Sequence, residues 1–148
     1  MLDIGKRRGH TLNRKALSQL EEWQGTPSRK ALLVDEARQV GKTYLIREFG
    51  RQHYEQVAEV NLLEIEGAAE AFSTAKTSED LFSRITLYAS GRIVPNRTLI
   101  FIDEVQEAPE MIAAAKFLVD RLGDQYDFIF SGSLLGIELK NVRSWPVG

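Results

Sequence analysis

The stretch Ala37-Arg38-Gln39-Val40-Gly41-Lys42-Thr43 sets a glycine, a lysine and a hydroxyl side by side, shortly after the apolar run Ala31-Leu32-Leu33-Val34. A buried strand that breaks into such a loop can turn successive backbone N–H groups inward around phosphate oxygens. Lys42 then reaches the β/γ oxygens, and the Thr43 hydroxyl joins the shell of a Mg²⁺ ion. The pattern is G-x-x-x-x-G-K-[ST], and its first glycine position is occupied by Glu36. Tyr44 to Phe49 read as the helix that must follow the loop, closed by Gly50.

A second chemical signal is Leu99-Ile100-Phe101-Ile102 ending in Asp103-Glu104. A strand covered on both faces reads as continuous apolar sequence, and the active groups of open α/β sheets gather at the carboxyl ends of such strands. Asp103 is placed to hold Mg²⁺ through water. Glu104, one residue on, should point to the other side of the strand end and polarise a water for attack on a γ-phosphate. The run Phe128-Ile129-Phe130 leads into Ser131-Gly132-Ser133. A polar side chain at the end of a strand lying between the other two would hydrogen-bond the attacking water or the γ-phosphate; an ordinary Gly/Ser turn is the alternative.

These residues need a scaffold, and 148 residues with 43% hydrophobic content suffice for one domain with a single core. No run approaches the ~18 apolar residues of a membrane span and no apolar block opens the chain, so the expected location is the cytoplasm. The absence of cysteine agrees with a reducing compartment and excludes thiolate metal sites, while His10 and His53 have no metal-ligand spacing. Mg²⁺ carried in with nucleotide is the one metal expected. Residues 1–30 hold seven Lys/Arg against three Asp/Glu, which leaves the rest of the chain acidic. Lys6-Arg7-Arg8 reads as part of a solvated basic arm over residues 1–12, and nucleic-acid binding by this chain alone is not expected.

From Asn13 the pattern turns helical, with Leu17, Leu20 and Trp23 at spacings of three before Gly25-Thr26-Pro27. Trp23 reads as core packing, with a place beside a nucleotide base as the alternative. Later elements are a strand at Val57–Leu62, a short helix near Gly67–Ser73, and a helix from Ser78 to Ser90. The last is capped by Ser78 or Thr77, is stopped at Gly91, and buries Leu81, Ile85 and Tyr88. Pro109 opens a further helix, which presents Met111, Ala115, Leu118 and Leu122 inward until Gly123. Strands alternating with helices predict right-handed crossovers and a parallel sheet.

Taken with the flanks Arg29-Lys30, Thr98, Val105-Gln106-Glu107-Ala108-Pro109, Leu134-Leu135-Gly136 and Trp145-Pro146-Val147-Gly148, these motifs resemble one family from about Asn13 to Gly148. It is the N-terminal ATPase part of the bacterial and archaeal AAA-type ATPases that carry a C-terminal domain of unknown function. The resemblance implies a three-layer α/β P-loop NTPase fold with a parallel sheet over 13–148, and ATP with Mg²⁺ as ligands. Ala37, Arg38, Gln39, Val40, Gly41, Lys42 and Thr43 form the nucleotide loop, Thr43 and Asp103 the metal side, and Lys42, Glu104 and Ser133 the catalytic set, Ser133 as sensor. Family members continue into a fifth core strand and further domains. The resemblance therefore implies a shortened chain whose first strand is an open edge, with self-association or a separate C-terminal partner as the expected consequence. Two functions stay open: an ATP hydrolase, and an inactive nucleotide- or partner-binding module in which Glu36 and the shortening have removed turnover. A P-loop kinase is disfavoured, since no lid with clustered arginines is evident.

Overall fold

Along each apolar run, successive side chains go to opposite faces, and this period of two divides the core. Leu32, Val34, Leu99, Phe101 and Ile129 share one face with Leu20, Trp23, Leu45, Ile46 and Phe49. Leu33, Ala58, Val60, Ile100, Ile102, Phe128 and Phe130 share the other with Phe72, Leu81, Ile85, Met111, Ala115 and Leu118. A sheet apolar on both faces must be covered on both, which makes three layers.

The computed structural model describes residues 2–27, 31–35 and 41–133, with side chains from Arg14 onward. Strands β1 (Leu32–Asp35), β2 (Gln56–Asn61), β3 (Thr98–Asp103) and β4 (Asp127–Gly132) form a four-stranded sheet in the order β1-β4-β3-β2. All pairings between these strands are parallel. Helices α1 (Leu2–Gly25) and α2 (Lys42–His53) belong to one outer layer, and α3 (Ala68–Ser73), α4 (Ser78–Tyr88) and α5 (Ile112–Leu122) to the other. Thr77 caps α4, its hydroxyl accepting from the Asp80 N–H at 3.0 Å. Among the described residues no helix is long and apolar enough to cross a membrane.

Several boundaries differ from those read in the sequence: Pro109 opens a 3₁₀ turn, Pro109–Met111, ahead of α5, and β2 lies one residue earlier than Val57–Leu62. The helix expected from Asn13 begins at Leu2, so most of the expected 1–12 arm has helical backbone continuous with α1. Gly5 and Gly9 weaken a helix by about 1 kcal/mol each relative to alanine without ending it. Gly91 does not stop α4, which ends at Tyr88 with Ala89 extended; Ser90 then bridges to Glu59 of β2. Finally, α2 runs through Gly50 to His53.

Gly50 has a packing role. A Cβ there would meet Val57 Cγ2 at 2.6 Å and Leu99 Cδ2 at 3.2 Å. The missing side chain lets α2 lie close on β2 and β3. Around it Phe49 packs on Trp23, with ring centroids 6.4 Å apart, which assigns Trp23 to the core. Arg47 clasps Glu59 through two hydrogen bonds, Nε to Oε1 at 2.8 Å and Nη2 to Oε2 at 2.6 Å, fixing the helix to the sheet from outside.

Substituting Gly50→Ala should lower stability by about 1 kcal/mol, because overpacking costs about 1–3 kcal/mol against a gain of about 1 kcal/mol in helix propensity. Val57→Ala in the same chain should recover part of that loss. Urea denaturation of the single and double variants measures both, and a Gly50→Ala midpoint at or above the original would refute the close contact.

Candidate nucleotide site

Parallel strands deliver their carboxyl ends to one edge of the sheet, and α2 begins at that edge. Its first residues, Lys42 and Thr43, are half-buried and follow Gly41, whose φ of 97° is in the left-handed region that glycine adopts without cost. Gly41, the N-cap of α2, has no side chain with which to cap it, and no acidic residue lies in the first turn. The first N–H groups of this helix therefore face the loop side with the positive end of the helix dipole behind them, a setting that favours an anion.

Asp103 ends β3 and is 1% exposed. Its carboxylate gathers three donors: the Thr43 hydroxyl to Oδ2 at 2.8 Å, the Ser131 hydroxyl to Oδ1 at 2.7 Å, and the Glu104 N–H to Oδ1 at 2.8 Å. Sheet register makes this possible: Phe130 pairs with Ile102, so Ser131 comes level with Asp103. A buried carboxylate is tolerated because these hydrogen bonds replace its lost water. At the end of β2, Asn61 pairs with Asp103, and its Oδ1 accepts from the N–H groups of Leu63 and Glu64 at 2.9 and 3.0 Å, turning the chain into α3.

Glu104 leaves the strand in a left-handed conformation, φ 61° and ψ 46°, at a cost of about 1–2 kcal/mol for a residue with a Cβ. Such strain in a non-glycine residue clusters at functional positions. Its carboxylate meets the turn that follows, where Oε2 accepts from Gln106 Nε2 at 2.6 Å. Gln106 Oε1 in turn accepts from the Ser133 N–H at 3.0 Å. Arg47, one turn beyond Thr43, is held above the ordinary arginine range by its hydrogen bond to Glu59. Burial opposes that shift, and the charges of Glu59, Asp103 and Glu64 reinforce it.

Thr43 and Asp103 fit a hard divalent cation. Mg²⁺ prefers oxygen ligands and keeps several of its waters, so the Thr43 hydroxyl suits it as a ligand and the Asp103 carboxylate, 2.8 Å from that hydroxyl, suits it as an acceptor for a metal-bound water. Among the described residues no group of three or more His, Cys, Asp or Glu could hold a metal. The remaining ligands would have to be water or phosphate oxygens.

A family model described as "AAA domain" matches residues 28–148. The chain belongs to this AAA domain family. Among solved structures it is similar to C. elegans PCH-2, with a TM-score of 0.57 at 15% identity over 92% of this chain. That likeness is one of fold, and the match spans 41% of the PCH-2 chain. No curated protein matches. As an AAA domain the chain is an ATPase-type nucleotide-binding domain, built on a four-stranded parallel sheet.

Glu36, Ala37, Arg38, Gln39 and Val40 of the expected loop lie outside the described residues. Within them, the sequence reading passed over two residues. Ser131 was noted as part of a polar triplet, yet it is this serine that touches Asp103; a hydroxyl in a strand otherwise fully buried was the available signal. Gln106 is the other: Glu104 is only two residues from it, but nothing local in the sequence reveals its second partner, the Ser133 N–H. A cavity of about 490 Å³, lined by residues such as His53, Tyr54, Thr98 and Asp127, lies at the opposite, amino-terminal ends of β3 and β4.

Ser131→Ala should lower stability by about 1.5–3 kcal/mol, the range for a hydrogen bond to a charged group, by removing a donor to the buried Asp103. Chemical denaturation reads this as a lower midpoint with an unchanged slope. An unaltered midpoint would show that the Ser131 contact adds nothing.

Proposed function

We propose that this AAA domain binds Mg-ATP where α2 meets the ends of β3 and β4, and hydrolyses it. The contact between the Thr43 hydroxyl and the Asp103 carboxylate, 2.8 Å across the gap between helix and strand, is the observation that supports the reading best. Backbone N–H groups of Ala37 to Thr43 cradle the phosphates, and Lys42 reaches the β/γ oxygens as a point charge. Thr43 and Asp103 hold Mg²⁺, Asp103 through water. When bound, the ion supplies charge neutralisation and orientation of the γ-phosphoryl group. Glu104 accepts a proton from the attacking water while that oxygen bonds to the γ-phosphorus and the bond to the β–γ bridging oxygen breaks, giving ADP and phosphate. Ser133 senses the γ-phosphate or the water from the end of β4.

One observation favours a second reading, a nucleotide-binding module without turnover. Glu36 occupies the position at which the loop pattern has glycine. A carboxylate about 5 Å from one phosphate charge opposes binding by roughly 1 kcal/mol in water and about 3 kcal/mol at an effective dielectric of ~20. Under either reading the protein acts in the cytoplasm as the N-terminal part of an ATPase of the kind that carries a further C-terminal domain. The side of β1 away from β4 then takes another strand, from the same chain or from a partner.

A calorimetric titration with ATP and Mg²⁺, paired with phosphate-release kinetics, tests both readings. Lys42→Ala should weaken binding by about tenfold to a hundredfold, the equivalent of one charge-assisted hydrogen bond. Glu104→Gln should bind within about twofold of the original and lose about 10²–10⁴ in rate. Unchanged affinity in Lys42→Ala would remove the phosphate assignment, and binding without phosphate release in the unaltered chain would select the second reading.

A further inference from the structure

The turn after β3 holds a side chain that the proposed reaction does not use. Val105–Glu107 form a single 3₁₀ turn, anchored by fully buried Val105 and closed by hydrogen bonds from Glu107 N to Glu104 O at 3.0 Å and from Ala108 N to Val105 O at 3.1 Å. From this turn Gln106 reaches two groups at once, the Glu104 carboxylate at 2.6 Å and the Ser133 N–H at 3.0 Å.

Chemistry fixes which end of the amide faces which partner. A carboxylate only accepts and a backbone N–H only donates, so the NH₂ must face Glu104 and the carbonyl must face Ser133. A glutamate at this position could not donate to Glu104, and an asparagine is one methylene shorter.

The backbone opposite makes room for the bridge. Gly132 has φ 154°, and a Cβ there would meet Gln106 Oε1 at 2.3 Å and Val105 N at 2.8 Å. Glycine at 132 lets β4 come close enough for the amide to span the gap. The left-handed Glu104, the 3₁₀ turn, the glutamine and the glycine therefore form one unit joining the ends of β3 and β4.

We infer that Gln106 is a positioning residue for Glu104. Its amide holds the carboxylate in one place and ties it to the segment that carries Ser133, so that a contact made at Ser133 is transmitted to the base. This rests on Glu104 being the general base, as proposed above. Loss of such alignment lowers the rate of the chemical step and leaves nucleotide binding, which uses Lys42 and the loop, unaffected.

The test compares the full chain with Gln106→Met, which keeps the length and removes both hydrogen bonds, with Glu104→Ala, and with the double variant. Gln106→Met should lower kcat by roughly tenfold to a hundredfold with KM and ATP affinity within about twofold. In the Glu104→Ala background it should cause no further loss, because a residue that acts through Glu104 has nothing left to position. Multiplying losses, or a joint change in kcat and affinity, would overturn the inference in favour of a general packing role. Amide exchange in the nucleotide-free protein gives a readout independent of turnover. The Ser133 N–H should exchange about tenfold faster or more in Gln106→Met, and the Gln106 side-chain amide resonance should shift in Glu104→Ala. If neither changes, the bridge does not exist in solution and the inference fails. Binding without phosphate release in the unaltered chain would instead count against the hydrolytic role of Glu104, and the exchange measurements would still decide whether Gln106 holds it.

Discussion

A single buried carboxylate holds the nucleotide edge of this domain together. Asp103 receives a hydroxyl from α2, a hydroxyl from β4 and the N–H of the residue that follows it. Burying an ionised carboxylate is unfavourable unless its lone pairs are met, and here each donor comes from a different part of the chain. The interaction therefore depends on tertiary structure that is already correct: helix start, strand end and neighbouring strand must arrive together. Thr43 and Asp103, which meet here, are also the two residues proposed to hold the cation, so under that proposal fold and site share one contact.

The layers around it exist to bring those three groups into register. The alternating faces of the strands distribute the apolar side chains into two cores, one under α1 and α2 and one under α3, α4 and α5. With β4 between β1 and β3, the end of β4 sits beside the end of β3, and Ser131 comes level with Asp103. Close seating of α2 on β2 and β3 through Gly50 sets the start of that helix, and so Thr43, at hydrogen-bond distance from Asp103.

Most of the scaffold was legible in the sequence because parallel strands covered on both faces have no polar face to obscure them. Leu99 to Ile102 and Phe128 to Phe130 could hardly be anything else, and Lys42, Thr43, Asp103 and Glu104 lie at the element ends expected of them. What escaped has a common physical cause. Gly50 was read as a stop because local propensity treats glycine as a helix terminator, whereas the packing of Val57 and Leu99 makes it an interior contact. At the other end the basic run Lys6-Arg7-Arg8, read as a solvated arm, hid the start of α1 at Leu2. Asp103 lies 28 residues from Ser131, and Ser133 lies 27 residues from Gln106, and only sheet register brings each pair close. Glu104 was placed on the other side of the strand end from Asp103, but its left-handed backbone is a strained exception that no propensity foretells.

The claim that Asp103 joins fold to function through a cation is tested most directly by the Mg²⁺ dependence of nucleotide affinity in the unaltered chain and in Asp103→Asn, each verified as folded by circular dichroism. Dissociation constants for ATP are measured with Mg²⁺ and with a chelator. The account predicts that Mg²⁺ tightens binding to the unaltered chain by about tenfold or more, and that Asp103→Asn retains the metal-free affinity and loses most of that gain. An equal Mg²⁺ enhancement in both proteins would contradict it.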